Sequence, residues 1–584
     1  MNNNKRKSTF NYSYYQDIKK SNIDQQIMSI DNLSNEIFYE IFDYLDACEI
    51  YHAFSNLNHR FQQLLYSSSL LFKIELHYRT PKEIFLNNYK SLIRFHQHQI
   101  ISIHLTYSIN VNTIISSMIR NSLFNHLESI RLHGVSPNIL SRFLKKCISL
   151  PRLFLLRIDT SNSLKDLNNI YKLVFNLPKL KSLEITAHGF NKFNIKTSLS
   201  MATAKQFSPI KSLMIDHSCT FKECSTIISY TPQLRNLSVS HLLMDDNPKK
   251  GIHLPMILSN LTYLFICEYD LDFDQFEMFI RKIDAKLQFL SFNTESEDIN
   301  YLDAKRWEKL IMKYLPQLDK FYFQYHIYRD YENEYPVYRD QCDQFISSFW
   351  IDRQWLFNAD IDYGFILYSI QPYEKQWYEY DSPQGMVNSS TDLSKCSQLS
   401  IRSIPGEYFD LFLTDVTRVL NMAEIYHLEI TEENVFSGIL VEIVDLLAEL
   451  RSLKIHSLSL RVPEGLCVEK FDVFDLLEIP IQITKVYLEK MNEIEEIYFL
   501  MTLCPDLTYL KVDSINNMDI ELFFRNILMN ISSKYNEHFR SMCIRIPTAD
   551  DKMINKLEKM INVKKLLIKY KIQRISECIY LQWN

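Results

Sequence analysis

Glycine is nearly absent: the chain of 584 residues holds 8, and no two lie closer than 21 residues. Phosphate-cradling loops need clustered glycines, because backbone N–H groups converge on an anion only where Cβ atoms do not block the approach. Neither G-x-G-x-x-G nor G-x-x-x-x-G-K-[ST] can be written here, and G-x-S-x-G and H-E-x-x-H are missing too. The 11 cysteines include no C-x-x-C, and the closest two are Cys219 and Cys224. That spacing fits neither a zinc module nor a disulfide framework and reads as reduced thiols. The nearest approach to a metal set is His96-x-His98 with His104, which no cysteine or acidic residue completes. No cofactor is expected. A formal net charge of −6 gives no basic excess to draw the chain to nucleic acid or an anionic membrane. No run reaches the roughly 18 apolar residues of a membrane span. The start, MNNNKRKSTFNYSYYQDIKK, lacks the apolar core of a signal peptide. The expectation is a soluble protein of the cytoplasm or nucleus. Its first 26 residues read as a disordered tail, in which Lys5-Arg6-Lys7 is a solvated end rather than an address.

What is present is core-forming: 46% of residues are apolar and 23% charged. Residues 33–65, LSNEIFYEIFDYLDACEIYHAFSNLNHRFQQLL, pack three short amphipathic segments together. Leu33, Ile37, Ile41 and Leu45 recur at i, i+4, with Phe38 and Phe42 one position on, which draws a broad apolar stripe along one helix. Glu36 stands in its first turn, where a carboxylate suits the helix dipole. Asp46-x-x-Glu49 has the spacing of a capping box and restarts the chain as a second helix through Ile50, Ala53 and Phe54. Asn56 or Asn58 can cap a third, which carries Phe61, Leu64 and Leu65. A unit this small cannot bury its apolar faces on itself and needs outside support.

From about Met28 to Leu76 this stretch resembles an F-box. The likeness is carried by Leu33, Glu36-Ile37, Ile41-Phe42-x-Tyr44-Leu45-Asp46, Leu57-Asn58-x-Arg60-Phe61, Leu64-Leu65 and Ser69-Leu70-Leu71-Phe72. Ser34 stands where that family usually has proline, and Phe61 where it usually has tryptophan. The resemblance implies a three-helix domain over residues 27–76 that docks onto the Skp-type adaptor of a cullin-RING ubiquitin ligase. It implies that Leu33, Ser34, Glu36, Ile37, Ile41, Leu45 and Phe61 make that contact.

Five later segments share proline, any residue, then an apolar triplet at spacing three and two: PRLFLLRI, PKLKSLEI, PQLRNLSV, PQLDKFYF and PDLTYLKV. Without the proline, triplets start at Ile100, Leu127, Leu153, Leu180, Ile210, Leu234, Leu261, Leu287 and Leu318, at intervals of 24 to 31. A second series starts at Ile425, Leu450, Ile483, Leu507, Phe539 and Val563, at intervals of 24 to 33. Between them, Phe273/Phe276/Phe279/Ile280/Ile283, Leu164/Leu167/Ile170/Tyr171/Val174 and Trp307/Leu310/Ile311/Tyr314 keep helical spacing. A period of this size means a solenoid. Strand then helix, with L-x-x-L-x-L at the strand, resembles a leucine-rich repeat. The family's asparagine or cysteine is replaced by Ser161, His188 and Ser218, so the fold expected is an irregular α/β solenoid, a horseshoe of strand–helix repeats.

The expected arrays are 77–324 and 401–584, separated by an aromatic insertion at 325–400. That insertion holds Trp350, Trp355 and Trp377 and ends in a polar stretch, 382–398, that reads as an exposed loop. Its aromatics read as strands packed on the arrays, with a recognition surface as the other reading. Alternate strand residues would point outward, among them Arg157, Glu184, Phe265, Tyr322, Tyr487 and Lys511, the candidate target-binding set. Mixed charge with scattered aromatics suits a protein or peptide partner, not a phosphate backbone. The function expected is a substrate-recognition subunit of an SCF-type ubiquitin ligase, a binding protein and not an enzyme. A non-degradative F-box scaffold is the alternative, and a site assembled from repeat loops the remote one.

Overall fold

A computed structural model describes residue 30 and residues 33–76, 92, 95–105, 112, 114–116, 124–160, 166–187, 197–243, 258–268, 271–283, 285–328, 345–379, 392–405, 409–461, 482–516, 518–531 and 538–583. The expected tail 1–26 with its basic cluster, Leu164, Ser161, His188 and residues 382–391 of the polar loop lie outside these. Contacts divide the chain into two compact units, residues 1–105 with 123–127, and residues 106–122 with 128–584.

The first unit opens with α1 (Asn35–Asp43), α2 (Ala47–Phe54) and α3 (His59–Leu65), followed by β1 (Phe72–Leu76) paired in parallel with β2 (Ile100–Leu105). Its compact body therefore runs past the expected boundary at 76. The capping box forms as the spacing predicts: the Asp46 carboxylate accepts from the Glu49 N–H at 2.9 Å, and the Glu49 carboxylate accepts from the Asp46 N–H at 3.0 Å. Asn58 caps α3 by accepting from the Phe61 N–H at 3.1 Å. Inside, Phe38 meets Phe61 edge-on at 4.9 Å, while Phe42 and Phe54 close the cluster at 5.0 Å. The His96 expected to come nearest a metal site is a core residue. It is buried, donates to the Gln99 carboxamide oxygen at 2.7 Å, and packs on Tyr66 and Phe72. The Gln99 amide in turn reaches the Leu65, Ser67 and Leu70 carbonyls at 2.8–3.0 Å, pinning the end of α3.

The second unit alternates strand and helix: β3 (Ser129–His133), α4 (Pro137–Cys147), β4 (Leu155–Asp159), α5 (Asn168–Phe175), β5 (Ser182–Thr186), β6 (Ser212–Thr220), α6 (Phe221–Ile228), β7 (Asn236–Leu243), β8 (Tyr263–Glu268), α7 (Phe273–Ile283), β9 (Phe289–Thr294), α8 (Ala304–Tyr314) and β10 (Lys320–Tyr328). It continues through α9 (Ser348–Asp352), β11 (Trp355–Asp362), β12 (Phe365–Pro372), β13 (Gln398–Ile401), α10 (Phe409–Leu420), β14 (His427–Ile430), β15 (Val435–Phe436), α11 (Ser437–Leu446) and β16 (Ser452–Ser459). The last elements are β17 (Lys485–Lys490), α12 (Glu495–Leu503), β18 (Tyr509–Val512), α13 (Ile520–Ile531), β19 (Ser541–Arg545), α14 (Asp551–Val563), β20 (Tyr570–Ile575) and β21 (Cys578–Trp583).

Strands β3 to β10 pair in sequence, all parallel. The stretch at 345–372 does not interrupt this sheet. Its hairpin enters the sheet, with β12 antiparallel to both β10 and β11, and β11 resumes the parallel series through β13, β14, β16, β17, β18 and β19. The hairpin turn is Tyr363-Gly364, and Gly364 takes a φ of 85° that a side chain would strain. Trp350 and Trp355 are buried core residues, as the reading of the aromatics as packed strands expects and against the other reading of a recognition surface.

From Leu127 through Phe539 each triplet begins two residues before its strand and supplies three buried side chains, as in Leu153, Leu156 and Ile158 or Leu287, Leu290 and Phe292, while the first, at Ile100, opens β2 itself. Successive repeats are also tied together through the main chain. At strand entry after strand entry, one carbonyl accepts the two successive N–H groups of the next repeat. Glu128 O takes those of Phe154 and Leu155, Phe154 O those of Lys181 and Ser182, and Lys181 O those of Lys211 and Ser212, all at 2.8–3.1 Å. Arg451 O and Thr484 O do the same further on. The triplet expected at Val563 is a correction. Val563 ends α14 and is 81% exposed, and Ile568 is 98% exposed; the sheet closes instead with antiparallel β21 and β20. There Lys564 and Lys565 precede Leu566-Leu567-Ile568 and Lys569 follows, so the spacing from Val563 reads as a strand but starts at the end of a helix.

Candidate functional site

The residues expected to make contacts lie on two surfaces, one on each unit. On the first, α1 begins at Ser34, whose hydroxyl bonds the Glu36 carboxyl and holds it below the usual carboxylate range. Arg60 on α3 staples this end: its guanidinium donates to the Asn35 side chain at 2.7 Å and to the Leu33 carbonyl. The inner face of α1 is Phe38 and Phe42, so the i, i+4 stripe lies on its flank. Ile37 is 41% exposed, and Leu33, Ile41 and Leu45 are half-buried. Tyr44, 90% exposed, and Leu57 extend the apolar surface, while Ser34 and Glu36 supply its polar edge. Phe61 is a correction: it is fully buried against Phe38 and Phe54, so it holds the helices together and offers nothing to a partner.

On the second unit, alternate strand residues form the outer face of the sheet. Arg157 and Glu184 pair across β4 and β5 at 2.7 Å, and His133 meets Asp159 at 3.1 Å. Tyr263 stacks on Phe289 at 4.3 Å and Phe289 meets Tyr322 at 5.4 Å, while Phe265 is half-buried beside them. Further along, Lys454 bridges Glu429 and Glu489 at 2.8 and 2.9 Å, and Glu489 also takes His456 at 2.7 Å. Lys511 is tied to Asp513 at 3.1 Å. These pairs, across strands except for Lys511 with Asp513, leave the face charged but internally neutralised.

Tyr487 is the second correction. Residues 373–379 cross this face, and Trp377 packs edge-on over Tyr487 at 5.0 Å, leaving it buried. Tyr378 lies flat on His427, ring centroids 3.4 Å apart, and its carbonyl accepts from the Lys485 ammonium at 3.2 Å. His427 donates from Nε2 to the Lys395 carbonyl at 3.0 Å, which leaves Nδ1 without a partner among the described residues. Burial drives its pKa down to about 3. Nothing in the sequence flagged this strap, because its contacts join residues about 50 to 110 apart.

The strap gives a pH prediction. The unfolded imidazole titrates near 6.5 and the folded one near 3, so the stability His427 contributes is whole above about pH 6.5 and is lost as pH falls. Between pH 7 and pH 5 the loss from this residue is about 2 kcal/mol. Urea unfolding of wild type and His427→Gln at both pH values measures it. The variant's stability should fall less over that interval by about this amount, and equal falls would refute the assignment.

Among the described residues no group of three or more His, Cys, Asp or Glu could hold a metal ion, and the described cysteines are free, with burial raising thiols such as Cys396 to about 11. No helix among them is long and apolar enough to cross a membrane. A third feature was not foreseen at all: a cleft at the carboxyl end of β10, drawn from the segments around Glu295, Tyr368 and Arg418. No protein-family model matches the chain, and no curated protein matches it in sequence.

Proposed function

We propose that this chain is the substrate-recognition subunit of a cullin-RING, SCF-type ubiquitin ligase. The helical unit at 27–76 acts as an F-box on a Skp-type adaptor, and the strand–helix unit acts as an irregular leucine-rich-repeat array that holds a target protein. The observation that carries the reading is the flank of α1. A unit with a complete aromatic core of its own still leaves Ile37, Tyr44 and Leu57 in solvent, beside half-buried Leu33 and Ile41. Burying that surface on a partner would gain roughly 25 cal/mol for each Å² of apolar area. The long sheet then serves as the part that selects, with its aromatic run Tyr263, Phe289 and Tyr322 as contact surface. Ubiquitin transfer belongs to the partners, and the chain works in the cytoplasm or nucleus.

The test is titration of the full chain with the Skp-type adaptor of its own species. Double replacement Leu33→Ala, Ile37→Ala should leave the helices folded, because both residues are partly exposed, yet weaken binding by about 30-fold, the effect of losing some 2 kcal/mol of interface contact. A folded chain that binds no adaptor ends this reading.

A further inference from the structure

The cleft of about 170 Å³ opens where the parallel order of the sheet is broken by the inserted hairpin. Its walls are Tyr325, Tyr328, Tyr368, Ile299, Leu302 and Met422, so most of what an occupant would touch is ring or aliphatic carbon. Tyr368 is buried to 2% exposure and lies on this wall. Glu295 and Glu297 stand on the same lining, half-exposed and exposed, and neither carboxylate is paired among the described residues. Arg418 also lines the cleft, but its guanidinium lies 2.9 Å from the buried carboxylate of Asp415, which neutralises it locally. Burial lowers the pKa of His326, against the pull of Glu295 and Asp360, and keeps that imidazole uncharged. The lining therefore carries the net charge of its two glutamates.

We propose that this cleft receives a lysine or arginine side chain projecting from a partner protein. The aliphatic stem of such a side chain buries against Ile299, Leu302 and Met422, as long cationic residues do on apolar surfaces. Its cationic head is drawn to the faces of the tyrosine rings and to the two carboxylates, interactions that strengthen as water is displaced. The Tyr368 hydroxyl offers an acceptor to its N–H groups. An anionic or merely apolar occupant would leave the glutamates unanswered or repelled. This deepens the reading of the sheet unit as a target holder and rests on it only in taking the occupant to be part of a protein.

The test needs neither adaptor nor ubiquitin, so its failure and that of the ligase reading are separable. Saturation-transfer NMR on the full chain would compare n-hexylammonium, n-hexanol and n-hexanoate as probes. Hexylammonium should bind about tenfold more tightly than hexanol and more tightly still than hexanoate, and the double variant Glu295→Gln, Glu297→Gln should erase that margin while leaving the circular dichroism spectrum unchanged. The proposal is overturned if hexylammonium does not bind, if hexanol or hexanoate matches it, or if the margin survives in the variant.

Discussion

Phe61→Ala should unfold the helical unit while the sheet unit stays intact. Phe61 is fully buried, with Phe38 edge-on at 4.9 Å and Phe54 at 5.2 Å, and Phe38 and Phe42 both pack on Phe54 in turn. Removing the ring opens a cavity at the one point where all three helices meet. Phe→Ala at such a site costs about 3–5 kcal/mol, which a helical unit this small can hardly absorb. Amide exchange over residues 35–65 should accelerate by at least about a hundredfold, since each 1.4 kcal/mol is a factor of ten, with amides of the sheet unit unchanged. Adaptor binding should disappear with the fold. The Leu33→Ala, Ile37→Ala pair should behave in the opposite way, losing binding and keeping slow exchange. If Phe61→Ala leaves exchange over α1 to α3 unchanged, the aromatic cluster is not what holds this unit.

Trp307→Ala should have an effect of similar size on the other unit. The indole is fully buried on α8 and touches Phe273, Phe321 and Phe323 at 5.1 Å each, so one side chain joins α7, α8 and β10. Its Nε1–H donates to the Tyr301 carbonyl at 2.8 Å, and the Tyr301 hydroxyl donates to the Leu271 carbonyl at 3.0 Å. Truncation removes the ring contacts and strands the Tyr301 carbonyl, at a cost of about 3–5 kcal/mol. Trp307→Phe keeps a ring and loses the hydrogen bond, so it should cost less. Urea denaturation followed by circular dichroism compares the two, and equal midpoints for wild type and Trp307→Ala would refute the central role given to this residue. Because Tyr301 also meets Tyr325 at 6.0 Å, the truncation should loosen the cleft wall and weaken hexylammonium binding as well.

Much of this architecture is legible in the sequence, because its period is written in side chains that must be buried. The triplets place strands correctly from Leu127 through Phe539, and the capping box at Asp46 and the cap at Asn58 are local signals that local geometry satisfies. Local pattern fails where the deciding contact is distant. Phe61 looks like part of an exposed motif until Phe38 and Phe54 enclose it, and Tyr487 looks outward until Trp377, more than a hundred positions earlier, covers it. Val563 fails for another reason: the apolar spacing of Val563, Leu566 and Ile568 matches a strand triplet, yet α14 extends into it and the turn after Lys565, at a φ of 51°, redirects the chain. The cleft at Glu295 was invisible because four separate segments build it.

The doubly accepting carbonyls at the strand entries have a historical consequence. They belong to Glu128, Phe154, Lys181, Lys211, Arg235, Thr262 and Gln288 in turn, residues with nothing in common except a main chain. A repeat joined to its neighbour through peptide groups places no demand on the side chain at the joint, because every residue but proline can supply both partners. Mutation can therefore rewrite these positions freely while the register of the stack survives. In such a lineage ancestry fades from the letters long before it fades from the shape, and kinship is to be sought by superposing backbones.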